Sequence, residues 1–98
     1  MPYAAVTIAE TLTLADYHAV SHHLGPRPVD GLMSEAAGCG DTGLHVITLW
    51  DSEADQERFI AERLLPAFQA AGVQPGPIRF SGVDVQALYL RPEQPSHA

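Results

Sequence analysis

Residues 43–52 have the sequence GLHVITLWDS and contain the clearest strand signal of the chain. Between Leu44 and Trp50, apolar side chains occupy both alternating sets of positions, which is typical of a strand that is covered on its two faces. Asp51 or Ser52 then supplies an N-cap, and acidic residues follow where the helix dipole favours them. The stretch predicts a buried strand that leads directly into a helix.

This helix, the second of the two predicted in the chain, is expected to extend to Gly72. Pro66 lies inside its apolar pattern, and a proline ring cannot donate a backbone hydrogen bond. We therefore expect the helix to kink or restart at Pro66. The apolar face consists of six residues: Phe59, Ile60, Leu64, Ala67, Phe68 and Ala71.

Residues 3–12 favour a first strand, because Val, Ile and Thr recur there among small residues. Thr13 and Asp16 have the spacing of a capping box at the start of a first helix. Two prolines in residues 25–28 end this helix. Its apolar stripe is predicted at four positions: Leu14, Tyr17, Val20 and Leu24.

Residues 32–37 predict a short second strand, and the glycine-rich residues 38–43 predict a flexible turn into the third. Residues 78–90 predict the last strand or a bent pair of strands, and residues 91–98 a frayed polar tail. The resulting order, β-α-β-β-α-β, predicts a ferredoxin-like α+β fold with a four-stranded antiparallel sheet.

Two helices can cover only one face of this sheet, yet the third strand is apolar on both faces. No third layer is left in the chain, so a second copy of the sheet is the simplest cover for the other face. We therefore expect one domain over residues 1–90, a flexible tail over residues 91–98, and a homodimer that closes into an α/β barrel.

Composition and charge argue against several function classes. The chain has 98 residues and a formal net charge of −7 with only five Lys and Arg, so it repels phosphate backbones and anionic lipid. The single cysteine excludes an intramolecular disulfide. Without a signal-peptide pattern or about 20 consecutive apolar residues, the sequence predicts a cytoplasmic protein with no nucleic-acid or membrane partner.

Residues 43–52, together with Phe59 and residues 63–67, resemble the antibiotic-biosynthesis-monooxygenase-like proteins of the dimeric α/β-barrel group. Residues 31–32 and 72–73 also fit, so the resemblance covers most of the chain. It implies an apolar pocket between sheet and helices in each subunit. The group holds cofactor-free oxygenases, haem-degrading enzymes, polyketide cyclases, isomerases and members without a known activity.

The resemblance also implies that Trp50 lines the pocket. In oxygenase members an Asn often lies four residues before this tryptophan, where the present chain has Val46. The amide expected to hold an enolate or an oxygen adduct is therefore missing from that position.

Glu35 is the leading candidate for a general base, because its neighbours along the second strand are apolar. If it pairs with Val46, both residues share a face with Trp50. An exposed glutamate on an edge strand is the alternative. The candidate site comprises Glu35 and His45 as catalytic residues and Trp50, Tyr17, Val46 and Phe59 as substrate-binding residues.

Three of these candidates have competing interpretations. His45 alternates onto the face opposite Trp50, so a contact at the dimer seam competes with a catalytic role. Trp50 is a core aromatic, a wall that stacks on a planar ligand, or both at once. Tyr17 belongs to the buried stripe of the first helix, where its hydroxyl would orient a polar ligand atom.

No cofactor or metal is predicted. His18 and His22 are four residues apart, but no third ligand accompanies them. Cys39 has no basic neighbour that would activate its thiol. A phosphate-binding glycine loop and a dinucleotide fingerprint are also absent from the sequence.

The leading hypothesis is a small cofactor-free pocket enzyme, of monooxygenase, cyclase or isomerase type, that acts on a hydrophobic metabolite such as an aromatic polyketide. The alternative is a non-catalytic ligand-binding or dimerisation module of the same fold, which Val46 favours. Haem degradation is the weakest hypothesis, because no histidine is placed as an axial ligand.

Overall fold

The computed structural model describes residues 1–26 and 28–91, and within these ranges no helix is long and apolar enough to cross a membrane. The regular elements are β1 (Tyr3–Ala9), α1 (Leu14–His22), β2 (Leu32–Gly40), β3 (Gly43–Trp50), α2 (Glu53–Phe59), a π-helical segment (Ile60–Leu64), α3 (Leu65–Ala71) and β4 (Ile78–Asp84). The predicted β-α-β-β-α-β order is confirmed, with the second helix divided into three parts.

The four strands form one antiparallel sheet in the order β2-β3-β1-β4, as expected for a ferredoxin-like α+β domain. The helices pack on one side, which we call the helix-side face, and the other side is the open face. Residues of β3 alternate between the two: Leu44, Val46, Thr48 and Trp50 belong to the helix-side face, and His45, Ile47 and Leu49 to the open face.

The hydrophobic core lies between the helix-side face and the helices. Trp50 is the largest fully buried side chain among the described residues, with 1% of its surface exposed. Leu14 was expected on the buried stripe of α1 but is exposed, because it is the first residue of the helix and precedes the turn that reaches the core. Seven further buried residues form one cluster: Ala9, Leu12, Val20, Leu24, Leu44, Ala67 and Phe68.

The capping box of α1 is present as predicted. The Thr13 hydroxyl oxygen accepts a hydrogen bond from the Asp16 backbone N–H at 3.2 Å, and the Asp16 carboxylate accepts one from the Thr13 backbone N–H at 2.9 Å. These reciprocal bonds satisfy N–H groups that have no partner within the helix.

The helix between Ser52 and Gly72 is interrupted just before Pro66, as predicted. The Leu65 backbone N–H bonds to the carbonyl of Ile60, five residues back instead of four. This wider π-type turn accommodates the proline, which has no N–H for the usual bond to Glu62 and whose ring would crowd that carbonyl.

Arg63 joins the π-helical segment to the end of α1. Its guanidinium donates two hydrogen bonds to the Leu24 carbonyl, at 2.9 and 2.7 Å, and one to the Pro26 carbonyl at 3.0 Å. Both carbonyls lie just after His23, the C-cap of α1, so the arginine fastens the loop that follows this helix to the π-helical segment.

The predicted flexible turn over residues 38–43 is wrong. β2 continues to Gly40, which pairs with Gly43, and only Asp41 and Thr42 form the loop. Gly43 has a φ of 107°, and a Cβ there would lie 2.5 Å from the Ala9 carbonyl oxygen. This glycine therefore permits a tight hairpin and a close backbone contact, which its sequence context did not distinguish from flexibility.

Strands β1 and β4 are shorter than predicted. β4 pairs with β1 as far as the Tyr3–Asp84 pair, and one more hydrogen bond joins the Val85 N–H to the Pro2 carbonyl at 2.8 Å. Beyond this point β1 offers no partner, so the predicted continuation to residue 90 does not form. The predicted tail, apart from Arg91, lies outside the described residues.

The open face carries almost no charge. Three cross-strand rows form it: Ser34, Leu49, Ala4 and Val83; Ala36, Ile47, Val6 and Ser81; Gly38, His45, Ile8 and Arg79. Arg79 is the one permanently charged residue of these three rows, and it pairs with Glu10 at 3.5 Å. Ile47 lies in a central strand and yet exposes 54% of its surface.

Helix α2 begins with a cap that also changes the acidity of a nearby carboxyl. The Ser52 hydroxyl accepts from the Asp55 backbone N–H at 3.2 Å and donates to the Asp55 carboxylate at 2.8 Å. This bond, followed by the one from Arg58, lowers the pKa of Asp55 below its ordinary value. Asp55 therefore stabilises the fold above its unfolded-state pKa, and this contribution disappears as the pH falls through the folded-state pKa.

Replacing Ser52 with Ala removes the cap, so we expect the free energy of unfolding to fall by about 1 kcal/mol at neutral pH. NMR titration should show the pKa of Asp55 rising toward its ordinary value. The matched variant Ser52→Thr keeps the hydroxyl and should retain both properties. An unchanged Asp55 titration in Ser52→Ala would show that Arg58 alone causes the shift.

Candidate functional site

A cavity of about 90 Å³ lies between the helix-side face and the helices. Its wall is mainly apolar and is supplied by all four strands, α1, α2, the π-helical segment and α3. Five of the six predicted site residues line it: Tyr17, Glu35, Val46, Trp50 and Phe59. The structure therefore brings together side chains that are as many as 42 positions apart in the sequence, from Tyr17 to Phe59.

Trp50 forms the most buried part of this wall. It is the last residue of β3, and its ring lies 5.2 Å from that of Phe59, measured between centroids and at a tilt of 48°. The indole nitrogen, Nε1, is fully buried and has no hydrogen-bond partner among the described residues. A buried N–H without an acceptor costs roughly 1–3 kcal/mol, so this arrangement requires a physical explanation.

Glu35 enters the cavity because of an irregularity in β2. Leu32 pairs with Trp50 and Ser34 with Leu49, so Met33 is an extra residue that forms a β-bulge. After this bulge, Glu35 lies on the helix-side face opposite Thr48. Pairing with Val46, the case considered from the sequence, would give the same side of the sheet, because Val46 and Thr48 are two residues apart.

A hydrogen bond joins two of the candidate site residues, Tyr17 and Glu35. The Tyr17 phenol donates to the Glu35 carboxylate at 2.6 Å, which is short and typical of a bond to a charged acceptor. The two residues come from α1 and β2, so the bond joins a helix to the sheet. It holds the carboxylate in position at the cavity wall.

The side chains of β1 on the cavity side are small. Thr7 and Ala9 line the cavity, and Ala5 lies buried on the same face. The bulkier Val6 and Ile8 belong to the open face. This division leaves room beside Val46 that larger residues of β1 would fill.

His45 is not part of the cavity. It lies on the open face, as its alternation with Trp50 predicted, and lines a shallow groove there with Ile47 and small residues of β2. Its ring nitrogens lie 3.1 Å from the Gly43 carbonyl and 3.3 Å from the Thr42 hydroxyl. A catalytic role for His45 would therefore require a site separate from that of Glu35.

Metal binding finds no support in the described part of the chain. No group of three or more His, Cys, Asp or Glu side chains is arranged there to hold an ion. His18, His22 and His23 are exposed on or just after α1, and Cys39 is also exposed.

A tyrosine with a shifted pKa lies outside the cavity. Burial, followed by the negative charge of Glu53, raises the pKa of Tyr3 above its ordinary value. The ring of Tyr3 lies over Gly82, where any side chain would overlap its hydroxyl. This tyrosine therefore stays protonated at neutral pH and closes the end of the sheet near α2.

Two polar residues of the cavity wall were not predicted from the sequence. Thr48 and Gln56 both line the cavity, and each exposes only 8% of its surface. Gln56 lies three residues before Phe59 and four before Ile60, so it occupies the apolar stripe of its helix. This spacing from apolar residues was the one signal in the sequence that Gln56 could be buried.

No protein-family model matches the sequence, and no curated protein matches it either. Solved structures share its fold. Rv0793 from Mycobacterium tuberculosis is 14% identical with a TM-score of 0.67, and the match covers 90% of this chain and 98% of that one. The ActVA-Orf6 monooxygenase of Streptomyces coelicolor, solved in complex with Nanaomycin D, is 19% identical with a TM-score of 0.57 and coverage of 92% and 91%.

A third structure is SnoaB, a cofactor-independent oxygenase from Streptomyces nogalater, solved in a mutant form. It is 10% identical with a TM-score of 0.54, covering 89% of this chain and 93% of that one. Further structures are described as putative antibiotic biosynthesis monooxygenases. At these identities the similarity establishes the fold alone. The chain has the ferredoxin-like α+β fold of the antibiotic biosynthesis monooxygenase-like proteins that its sequence resembles.

Proposed function

We propose that the protein is a small cofactor-free enzyme that binds a hydrophobic, aromatic metabolite in the cavity beside Trp50. The observation that carries this proposal is Trp50 in the wall of a mainly apolar cavity, with a buried Nε1 that has no hydrogen-bond acceptor among the described residues. An oxygen atom of a bound ligand would provide that acceptor. Pockets of this kind bind small molecules through apolar area and orient them with few polar groups.

The chemistry that these residues support best is removal of a proton from the ligand. Glu35 would act as the base, held in place by the hydroxyl of Tyr17. Loss of a proton next to a carbonyl leaves negative charge on oxygen, and the Trp50 N–H would stabilise that charge. Proton removal is a first step that an oxygenase, a cyclase and an isomerase can share.

The cavity must widen to admit such a ligand. Its volume of about 90 Å³ is well below the ~300–1,000 Å³ of typical ligand sites. Two parts of the wall are suited to move: Phe80, which is 55% exposed at the sheet edge, and Ile60 and Leu64 in the π-helical segment. Single π-type turns in helices occur frequently at functional sites.

The structural neighbours support a small-molecule function in their own descriptions. One was solved with Nanaomycin D, and another is described as a cofactor-independent oxygenase. The second candidate function, a non-catalytic ligand-binding module, is favoured by Val46, which offers no polar atom to a reacting oxygen. The predicted location in the cytoplasm remains a prediction.

We also propose that the protein is a homodimer whose partner copy covers the open face. The middle row of this face contains Ala36, Ile47, Val6 and Ser81, with no charge, in a protein of net charge −7. Two copies repel each other overall, so contact through the face that lacks acidic residues minimises the repulsion. The same surface on both copies fits a two-fold interface.

Replacing Glu35 with Gln keeps the size of the side chain but removes the base. We expect the rate at which 2-tetralone exchanges its α-protons for deuterium, followed by NMR, to fall by about 100-fold or more. Glu62→Gln makes the same change at an exposed residue of the π-helical segment and should leave the rate unaltered. If the wild-type protein binds 2-tetralone but does not accelerate exchange, the binding module is favoured over the enzyme.

Replacing Trp50 with Phe removes the N–H and keeps an aromatic ring. We expect calorimetry to show weaker binding of 2-tetralone, by about fivefold, because the oxygen loses its donor. Urea unfolding should show a smaller loss of stability than Trp50→Ala, for which about 3–5 kcal/mol is expected. Undiminished ketone affinity in Trp50→Phe would contradict the assigned role of the indole.

Light scattering at micromolar concentration should give twice the chain mass of 10.5 kDa. Ile47→Glu places a charge in the middle of the open face and should yield monomers. Leu65→Glu is the matched control, because Leu65 is 55% exposed against 54% for Ile47 but lies on α3. A wild-type monomer, or equal dissociation by both variants, would overturn the proposed interface.

A further inference from the structure

Gln56 is the only buried residue of α2, a helix in which four of the seven side chains are charged. The one buried position of this helix is thus occupied by a carboxamide, where an apolar side chain would pack without loss of hydration. Among the described residues, Nε1 of Trp50 is the one fully buried side-chain polar atom without a hydrogen-bond partner, so the amide of Gln56 keeps some accessible surface. A polar group that stays accessible in a mainly apolar wall is available to a ligand.

The position of Gln56 brings its side chain to the neighbourhood of the indole. Gln56 and Phe59 are three residues apart and therefore neighbours on one side of α2. The Phe59 ring contacts Trp50, and all three residues line the same cavity. Within residues 1–26 and 28–91, the carboxamide of Gln56 makes no hydrogen bond to another side chain or to the backbone.

We propose that Gln56 is a ligand-binding residue that selects molecules with a carbonyl oxygen. Gln56 and Trp50 belong to the same cavity wall and each carries an N–H donor, and a carbonyl oxygen accepts two hydrogen bonds. The ligand class is accordingly an aromatic ketone or quinone. This inference rests on the proposed function. It would give the cavity an amide from α2, whereas β3 has Val46 at the position where the resembling oxygenases often have Asn.

The test compares two ligands with the same carbon skeleton, 2-tetralone and its hydrocarbon counterpart tetralin. Because both require the same widening of the cavity, the ratio of their dissociation constants isolates the contribution of the oxygen. Trp50 is the only tryptophan of the chain and lines the cavity, so its fluorescence reports binding of either ligand.

Gln56→Met removes the amide at nearly constant size. We expect it to lower the preference for the ketone over the hydrocarbon by about five- to tenfold, and the affinity for tetralin to stay within about twofold of wild type. Gln56→Glu keeps the shape and loses the NH₂ donor, so it should lower the same preference. Gln69→Met is the control, since Gln69 is exposed on α3 and does not line the cavity.

The outcomes separate this inference from the proposed function. If the wild-type protein binds both ligands and Gln56→Met leaves their ratio unchanged, the role of Gln56 is overturned and the pocket function stands. If the wild-type protein binds neither ligand up to their solubility, the proposed function fails and this inference fails with it.

Discussion

The pairing of β2 with β3 determines whether Glu35 enters the cavity, and the proposed proton removal depends on it. Residues of a strand alternate between the two faces of the sheet. A shift of the pairing by one residue therefore moves every side chain of the strand to the opposite face. The extra residue Met33 produces one such shift within β2 itself. Leu32 and Glu35, an even and an odd position, consequently lie on the same side of the sheet. Without the bulge, Leu32 and Glu35 would face opposite sides of the sheet.

The features that the sequence predicted well are those that neighbouring residues determine. The capping residues Thr13 and Ser52 and the interruption before Pro66 depend on backbone groups a few positions away. Predictions failed where a distant element decides the outcome. β4 ends at Asp84 because β1 has no further residue to pair with, and Gly43 is required by the Ala9 carbonyl of another strand.

The candidate site was predictable to the extent that alternation and helical periodicity assign faces. These rules placed Trp50 and Val46 together and separated His45 from them. They could not give the β2–β3 register, and so the contact between Tyr17 and Glu35 became visible only in the structure. Gln56 escaped prediction for a different reason: most of its neighbours along the sequence are charged, and a glutamine there has the same appearance whether it is buried or exposed.

Strand β2 is an edge strand of nine residues, and none of the described strands pairs with its outer side. Edge strands in natural proteins usually carry lysine, proline or an inward charge that discourages the addition of foreign strands. Within β2 the only charge, Glu35, points into the cavity, and the bulge at Met33 is the only interruption. The segment from Ala36 to Gly40 is small, uncharged and regularly paired. Both protective features thus lie in the first half of β2, and along Ala36 to Gly40 the net charge of −7 is left to discourage the addition of strands from other copies.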